Sequence, residues 1–284
     1  MGKKLRNEET LVVVAQSGGD RCPIWSIHPI GGSVLWIRHL AANLPVDQPL
    51  YGIQARGLDG QQQPHSSVPE MAAHYVRLIR KKQPKGPYRL TGASFGGLVA
   101  VEIAHQLRSA GEAIDLLALF DTFGPDYPAR KPLGQRLLGL FGRMRGLSWR
   151  DQVSLVLGQF RAQFSESLTS GMEDVSGSSM VTAVNRVIAA NIRAMELYHP
   201  PSYDGSIVLF RATQRPAEFG DGFTEPTNGW SSVAPGRVEV IPINADHRFL
   251  LDAPGVHELS RKFSARASTP GYLEGSAMSL PSPC

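Results

Sequence analysis

The hydrophobic pattern of the first 120 residues alternates short apolar runs with longer segments that have helical periodicity. The last apolar run, Ile114–Phe120, is nearly continuous, as is typical of a parallel strand that is covered on both faces. Strands that alternate with helices predict an α/β protein with a mostly parallel sheet and helices on both faces. The predicted strands lie at 11–14, 23–27, 50–53, 88–90 and 114–120, and the predicted helices at 36–44, 68–82 and 98–108.

The alternation stops at residue 125, and the segment 125–200 has helical patterns without a strand pattern. A helical insertion that follows the carboxyl end of a strand is typical of a lid over a functional site. A structural subdomain or a dimer surface is the alternative. The predicted insertion consists of helices at 133–147, from 148 onward and at 181–195, with a Gly- and Ser-rich loop at 169–179.

Strand patterns resume at 206–210 and 238–243, and a further helix is expected before the chain becomes rich in Pro and Ser at residue 268. This composition predicts one folded domain over 1–267 and a disordered tail over 268–284. At the other end, glycines in the segment 17–20 separate the first two strands and predict a hairpin.

Composition excludes several functional classes. The chain has 42% hydrophobic and 19% charged residues, with no apolar run long enough to cross a membrane. Its net charge of +4 is modest, and no nucleic-acid-binding motif accompanies the basic residues. No apolar stretch follows the basic amino terminus, so no secretion signal is predicted. We therefore expect a cytoplasmic protein without a membrane or nucleic acid partner, and without a metal site.

The segment 88–97 carries the strongest chemical signal. It reads as a strand, a Gly-x-Ser-x-Gly turn centred on Ser94, and a helix. Such a turn lifts a serine hydroxyl away from the sheet edge, and its glycines allow the strand and the helix to pack closely. The sequence therefore predicts that Ser94 is a nucleophile.

A serine nucleophile needs a base within hydrogen-bond reach, and histidine is suited to this role. His247 follows the last predicted strand, at the end of Pro242–His247. His28 is the alternative because it also follows a strand, but it precedes the serine. In serine hydrolases of this sheet type the chain order is serine, acid, histidine, which favours His247.

The acid that orients the histidine has two candidate positions. Asp121 directly follows the strand Ile114–Phe120, whereas Glu218 and Asp221 follow the next strand. An aspartate at the end of a strand can also serve only to cap a turn. Spacing alone leaves the choice between these carboxylates open.

Attack by a serine on a carbonyl group creates an oxyanion that needs two fixed N–H donors. Phe95, at the predicted helix start, supplies one candidate N–H. The glycine-containing loop His28–Ser33 supplies the other, for which we select Ile30. A simple Pro-Gly turn is the alternative interpretation of this loop.

Taken together, these segments resemble the thioesterase domains that end nonribosomal peptide and polyketide assembly lines. The matching segments are His28–Ser33, Leu50–Gly57, Gly86–Gly97, Leu119–Thr122 and Asp246–His247. The resemblance extends over roughly residues 10 to 265 and implies an α/β-hydrolase fold with a helical lid. In that family the acid follows the strand after the nucleophile's strand, which implies Asp121.

The resemblance also implies the reaction. An acyl or peptidyl chain is delivered on the phosphopantetheine arm of a carrier protein, no cofactor is bound by the domain itself, and Ser94 forms an acyl-enzyme. Release then occurs by hydrolysis or macrocyclisation. A stand-alone editing thioesterase, a generic serine esterase and a non-catalytic binding protein are the alternatives. Because such carrier proteins are generally acidic, we expect them to dock on basic lid residues, namely Arg136, Arg143, Arg145 and Arg150.

Overall fold

The computed structural model describes residues 11–125, 177–214, 225–247 and 250–269. Within these residues seven strands form one sheet, and their order is β1-β3-β2-β4-β5-β6-β7. The first strand pairs antiparallel with β3, and every other pair of neighbours is parallel. The strands are β1 Val12–Gln16, β2 Ile24–Ile27, β3 Leu50–Ile53, β4 Tyr88–Ala93, β5 Ile114–Phe120, β6 Ile207–Gln214 and β7 Val238–Asp246.

Helices cover both faces of this sheet and create two hydrophobic cores. Side chains of successive strand residues point to opposite faces, so Leu117 joins one core while Ala118 joins the other. The helices are α1 Ile37–Ala41, α2 Val68–Lys82, α3 Phe95–Ser109, α4 Gly177–Leu197 and α5 Gly255–Ser268. Helices α2 and α3 pack in the first core, and α1 and α5 pack in the second.

The predicted hairpin between the first two strands is wrong, because β3 lies between β1 and β2. The end of β1 and the connection from β1 to β2 pack against the segment that leads into β3. Gln16 Nε2 donates to Pro45 O at 2.6 Å and to Gln48 O at 2.8 Å. A Cβ atom on Gly19 would lie 1.9 Å from Asp47 O. The glycines therefore allow a close backbone crossing rather than a tight hairpin turn.

Helix α4 is the described part of the predicted insertion. It begins at Gly177, so the predicted loop over 169–179 is wrong for its last three residues. Ser and Gly have low helix propensity, but a helix that is stabilised by its later apolar residues extends through them. The remaining predicted insertion helices and the tail beyond 269 lie outside the described residues. The 1–267 domain boundary stays a prediction.

The insertion helix continues into a segment that packs on α3. Tyr198 Oη donates to Glu102 Oε2 at 2.7 Å, and burial together with this carboxylate raises the pKa of Tyr198. In the part of the chain that the structure describes, none of the helices combines the length and the apolarity needed to span a lipid bilayer.

Candidate active site

Ser94 lies in the turn between β4 and α3, where its backbone has φ 51° and ψ −121°. The turn leaves no room for side chains on the flanking glycines. A Cβ atom on Gly92 would lie 2.2 Å from Gly96 O, and one on Gly96 would lie 2.4 Å from His28 O. The tight packing of strand, helix and the loop at His28 therefore holds Ser94 at a positive φ, which non-glycine residues rarely adopt.

The ends of β5 and β7 bring two further side chains to Ser94. Ser94 Oγ lies 3.2 Å from His247 Nε2, and His247 Nδ1 lies 2.8 Å from Asp121 Oδ2. A carboxylate can only accept, so Nδ1 carries a proton and Nε2 is the nitrogen that faces the serine hydroxyl. The Phe123 ring stacks on the imidazole with 5.0 Å between centroids. The geometry therefore brings the predicted serine and histidine together with Asp121, the acid that the family resemblance implies.

The second oxygen of Asp121 is also engaged. Asp121 is fully buried, and its Oδ1 accepts from Ala212 N at 3.0 Å and from Asn228 Nδ2 at 3.1 Å. The sequence did not identify Asn228, because an Asn-Gly pair indicates a turn and nothing more. The alternative acids, Glu218 and Asp221, lie outside the described residues.

The loop that follows β2 is organised by a buried histidine. His28 is fully buried, and burial lowers its pKa to about 4, so the ring is neutral near pH 7. Its Nδ1 lies 2.8 Å from Pro29 O, which can only accept, so Nδ1 is the protonated nitrogen. The other nitrogen, Nε2, accepts from Tyr75 Oη at 2.8 Å. Both ring nitrogens of His28 are thus engaged within the loop and α2.

These contacts fix the peptide that carries the Ile30 N–H. Pro29 O accepts from Gly32 N at 2.9 Å as well as from His28, and a planar peptide turns as one unit. On the other side of Ile30, its carbonyl accepts from Asn191 Nδ2 of α4 at 2.9 Å. Phe95, the first residue of α3, is buried, and the N–H groups of a first helical turn have no partner within the helix.

Four arginines predicted to dock a carrier protein, namely Arg136, Arg143, Arg145 and Arg150, lie outside the described residues. Nothing in the described structure bears on that prediction.

Comparison with known proteins identifies the family of this chain. The family model of the thioesterase domain matches residues 23–266. Malpinin synthetase of Mortierella alpina is 34% identical over 242 residues, which are 83% of this chain and 3% of that protein. The dimodular nonribosomal peptide synthase of Bacillus subtilis is 27% identical over 256 residues, 88% of this chain and 10% of that protein. The chain therefore spans a small part of the length of these relatives.

Solved structures have the same fold. A four-domain nonribosomal peptide synthetase bound to AMP and glycine matches with a TM-score of 0.72 at 25% identity, over 95% of this chain and 21% of that one. The NocB thioesterase domain, in covalent complex with a fluorophosphonate nocardicin G analog, matches with a TM-score of 0.65 at 24% identity, over 91% and 100% of the two chains. The predicted α/β-hydrolase fold is confirmed, and the chain belongs to the thioesterase domain family.

Proposed function

We propose that this domain releases an acyl or peptidyl chain from the phosphopantetheine thioester of a carrier protein, through an acyl-enzyme on Ser94. The observation that carries the proposal is the hydrogen-bonded series from Ser94 Oγ through His247 to Asp121, with distances of 3.2 and 2.8 Å. This series lies at the carboxyl edge of the sheet in a chain of the thioesterase family, where serine hydrolases hold their nucleophile.

The first half of the reaction transfers the acyl chain to the enzyme. His247 Nε2 removes the proton as Ser94 Oγ attacks the thioester carbonyl carbon, and the imidazolium that forms is stabilised by Asp121. When the tetrahedral intermediate collapses, the carbon–sulfur bond breaks and the thiol leaves with the proton from His247. An oxygen ester on Ser94 remains.

The second half removes the chain from Ser94. His247 deprotonates the incoming nucleophile, which attacks the ester carbonyl, and the serine hydroxyl is regenerated. Attack by water gives hydrolysis, whereas attack by an amine or hydroxyl of the acyl chain gives a ring. Exclusion of water from the site favours ring closure.

The oxyanion of both steps is assigned to the N–H groups of Phe95 and Ile30. Phe95 follows the nucleophile at the start of α3, where a helix end favours negative charge. The peptide that carries the Ile30 N–H is held through Pro29 O by two donors, Gly32 N and His28 Nδ1. Donors that are fixed before the reaction need no reorganisation when charge develops, and each is worth about two to three orders of magnitude in kcat.

The carrier protein is proposed as partner because the relatives named above are nonribosomal peptide synthetases. The test uses a peptidyl chain as a thioester on the phosphopantetheine of a carrier protein, the same chain on N-acetylcysteamine, and a matched oxygen ester. We expect thiol release from both thioesters, a higher kcat/KM for the carrier-bound chain, and loss of all turnover in Ser94→Ala. Failure to release either thiol would refute the proposal, and turnover of the oxygen ester alone would indicate a generic esterase.

A further inference from the structure

The described segment 225–229 places one side chain, Asn228, against Asp121. Asn228 is fully buried, and its Nδ2 donates to Asp121 Oδ1 at 3.1 Å and approaches Thr122 O at 3.4 Å. Its backbone carbonyl accepts from Gly124 N at 2.8 Å. Both the amide and the backbone of Asn228 therefore contact the segment that carries the aspartate.

The orientation of this amide follows from its partners. Arg211 Nε, which can only donate, lies 3.0 Å from Asn228 Oδ1. The amide oxygen must therefore face Arg211, and the amide nitrogen faces Asp121 Oδ1. A continuous series of hydrogen bonds runs from Arg211 through Asn228, Asp121 and His247 to Ser94.

The backbone of Asn228 sets it apart from ordinary turn residues. Across the described residues, three non-glycine residues have positive φ: Ser94 at 51°, Asp121 at 42° and Asn228 at 51°. All three belong to the same hydrogen-bonded series. Strained backbone of this kind concentrates at functional sites, and asparagine tolerates it better than most residues.

We infer that Asn228 is a positioning residue that holds Asp121 Oδ1, so that Oδ2 stays directed at His247 Nδ1. The inference rests on the proposed function of Ser94. A fully buried carboxylate is stable only with hydrogen-bond donors around it. Loss of the amide removes a buried donor from Oδ1 and leaves the donation from Ala212 N in place, so the constraint that directs Oδ2 at the imidazole becomes weaker.

Three variants distinguish a role of Asn228 in orienting Asp121 from a role in stabilising the surrounding segment. Asn228→Gly removes the amide but accepts the positive φ at no steric cost. Asn228→Asp keeps the shape and replaces the donor with a second carboxyl group. Ser232→Ala is the matched control, because it deletes a hydrogen bond in the same loop, from Ser232 Oγ to Gly229 O at 2.8 Å, without touching Asp121.

For Asn228→Gly we expect kcat to fall about 10- to 100-fold with KM unchanged within about 2-fold, since only the orientation of the base changes. For Asn228→Asp we expect activity to decline as pH rises. The introduced carboxyl donates to Asp121 only while it is protonated, and two ionised carboxylates repel each other. Among the described residues, the charged and titratable side chains beside this pair include His247, which contacts Asp121, Arg211, which donates to Asn228 Oδ1, and Glu225, which accepts from Gly229 N and Thr227 Oγ1.

The closing experiment measures kcat, KM and their pH profiles for these variants, together with the rate at which a fluorophosphonate inactivates Ser94. The inactivation rate requires no thioester, so slow inactivation of the Asn228 variants supports the inference even if the wild type hydrolyses no thioester. Inactivation and kcat equal to those of Ser232→Ala would overturn it. If Asn228→Gly does not fold, an alkaline decline in Asn228→Asp supports the inference, and a profile parallel to that of the wild type overturns it.

Discussion

Two regions of the active site position their reacting side chains in different ways. The first is the nucleophile turn, residues 92–97. The second is the acid corner, formed by Asp121, Ala212, Asn228 and His247. Each holds a reacting side chain on backbone with positive φ at the carboxyl edge of the sheet. The nucleophile turn is built from six consecutive residues, the last two of β4, Ser94 and the first three of α3. The acid corner is built from the ends of β5 and β7, from Ala212 of β6 and from Asn228 in the described segment 225–229.

The difference lies in the forces that hold the two regions. The nucleophile turn is held by steric fit, because Gly92 and Gly96 allow backbone contacts that any Cβ atom would block. The acid corner is held by hydrogen bonds to a buried carboxylate. Substitutions that add a side chain at the glycines of the first region should therefore reduce stability and turnover together, whereas isosteric substitutions in the second should reduce turnover far more than stability.

The largest effect is expected from Asp121→Asn. The amide preserves the shape but favours the wrong histidine tautomer, so kcat should fall by about ten-thousandfold while the melting temperature changes little. Steady-state kinetics and thermal unfolding test this together. Asp59→Asn, on the exposed surface, is the control, and Asp221→Asn examines the alternative acid. An inactive Asp221→Asn beside an active Asp121→Asn would contradict the assignment.

The next largest effect is expected from Gly96→Ala. The added Cβ atom would lie 2.4 Å from His28 O and 2.5 Å from Ile27 O, both of them backbone atoms. Relief of this overlap requires a backbone shift, so we expect a loss of about 1 to 3 kcal/mol in the free energy of unfolding and a parallel loss of turnover. Gly18→Ala, whose Cβ would lie 3.6 Å from Val46 O, is the control. Unchanged denaturant midpoints in both variants would show that the turn is less tightly packed than described.

The smallest effect is expected from Asn191→Leu. The amide nitrogen of Asn191, on the insertion helix, donates to Ile30 O, and its amide oxygen is buried with no hydrogen-bond partner among the described residues. The variant loses one hydrogen bond, about 1 kcal/mol, and loosens the Ile30 peptide without removing its N–H. We expect kcat to fall roughly 10-fold, less than the loss of an oxyanion donor.

The control for that variant is Asn43→Ala, which removes an exposed hydrogen bond from Asn43 Nδ2 to His39 O. A change in KM alone for Asn191→Leu would mean that the residue acts on substrate binding rather than on the oxyanion loop.

The same contrast explains how far the sequence could predict this molecule. The nucleophile turn was predictable because its strand, turn and helix signals are adjacent, and β5 because its apolar run is continuous. The pairing of β1 with β3 was not predictable, because the order of strands in a sheet depends on contacts between residues that are distant in the sequence. Asn228 was not found for the same reason: its partner Asp121 is 107 positions away. Spacing also could not choose among the acids, because it does not determine which carboxylate reaches His247.

The central claim is that Ser94 carries the acyl chain, and the most direct measurement is the intact mass of the protein after rapid mixing with a slowly released acyl thioester. We predict one added acyl group per chain, located on the peptide that contains Ser94, and none in Ser94→Ala. The adduct should form at the rate of thiol release and decay at the rate of product formation. Thiol release without an adduct in the wild type, or an adduct on another residue, would contradict the account.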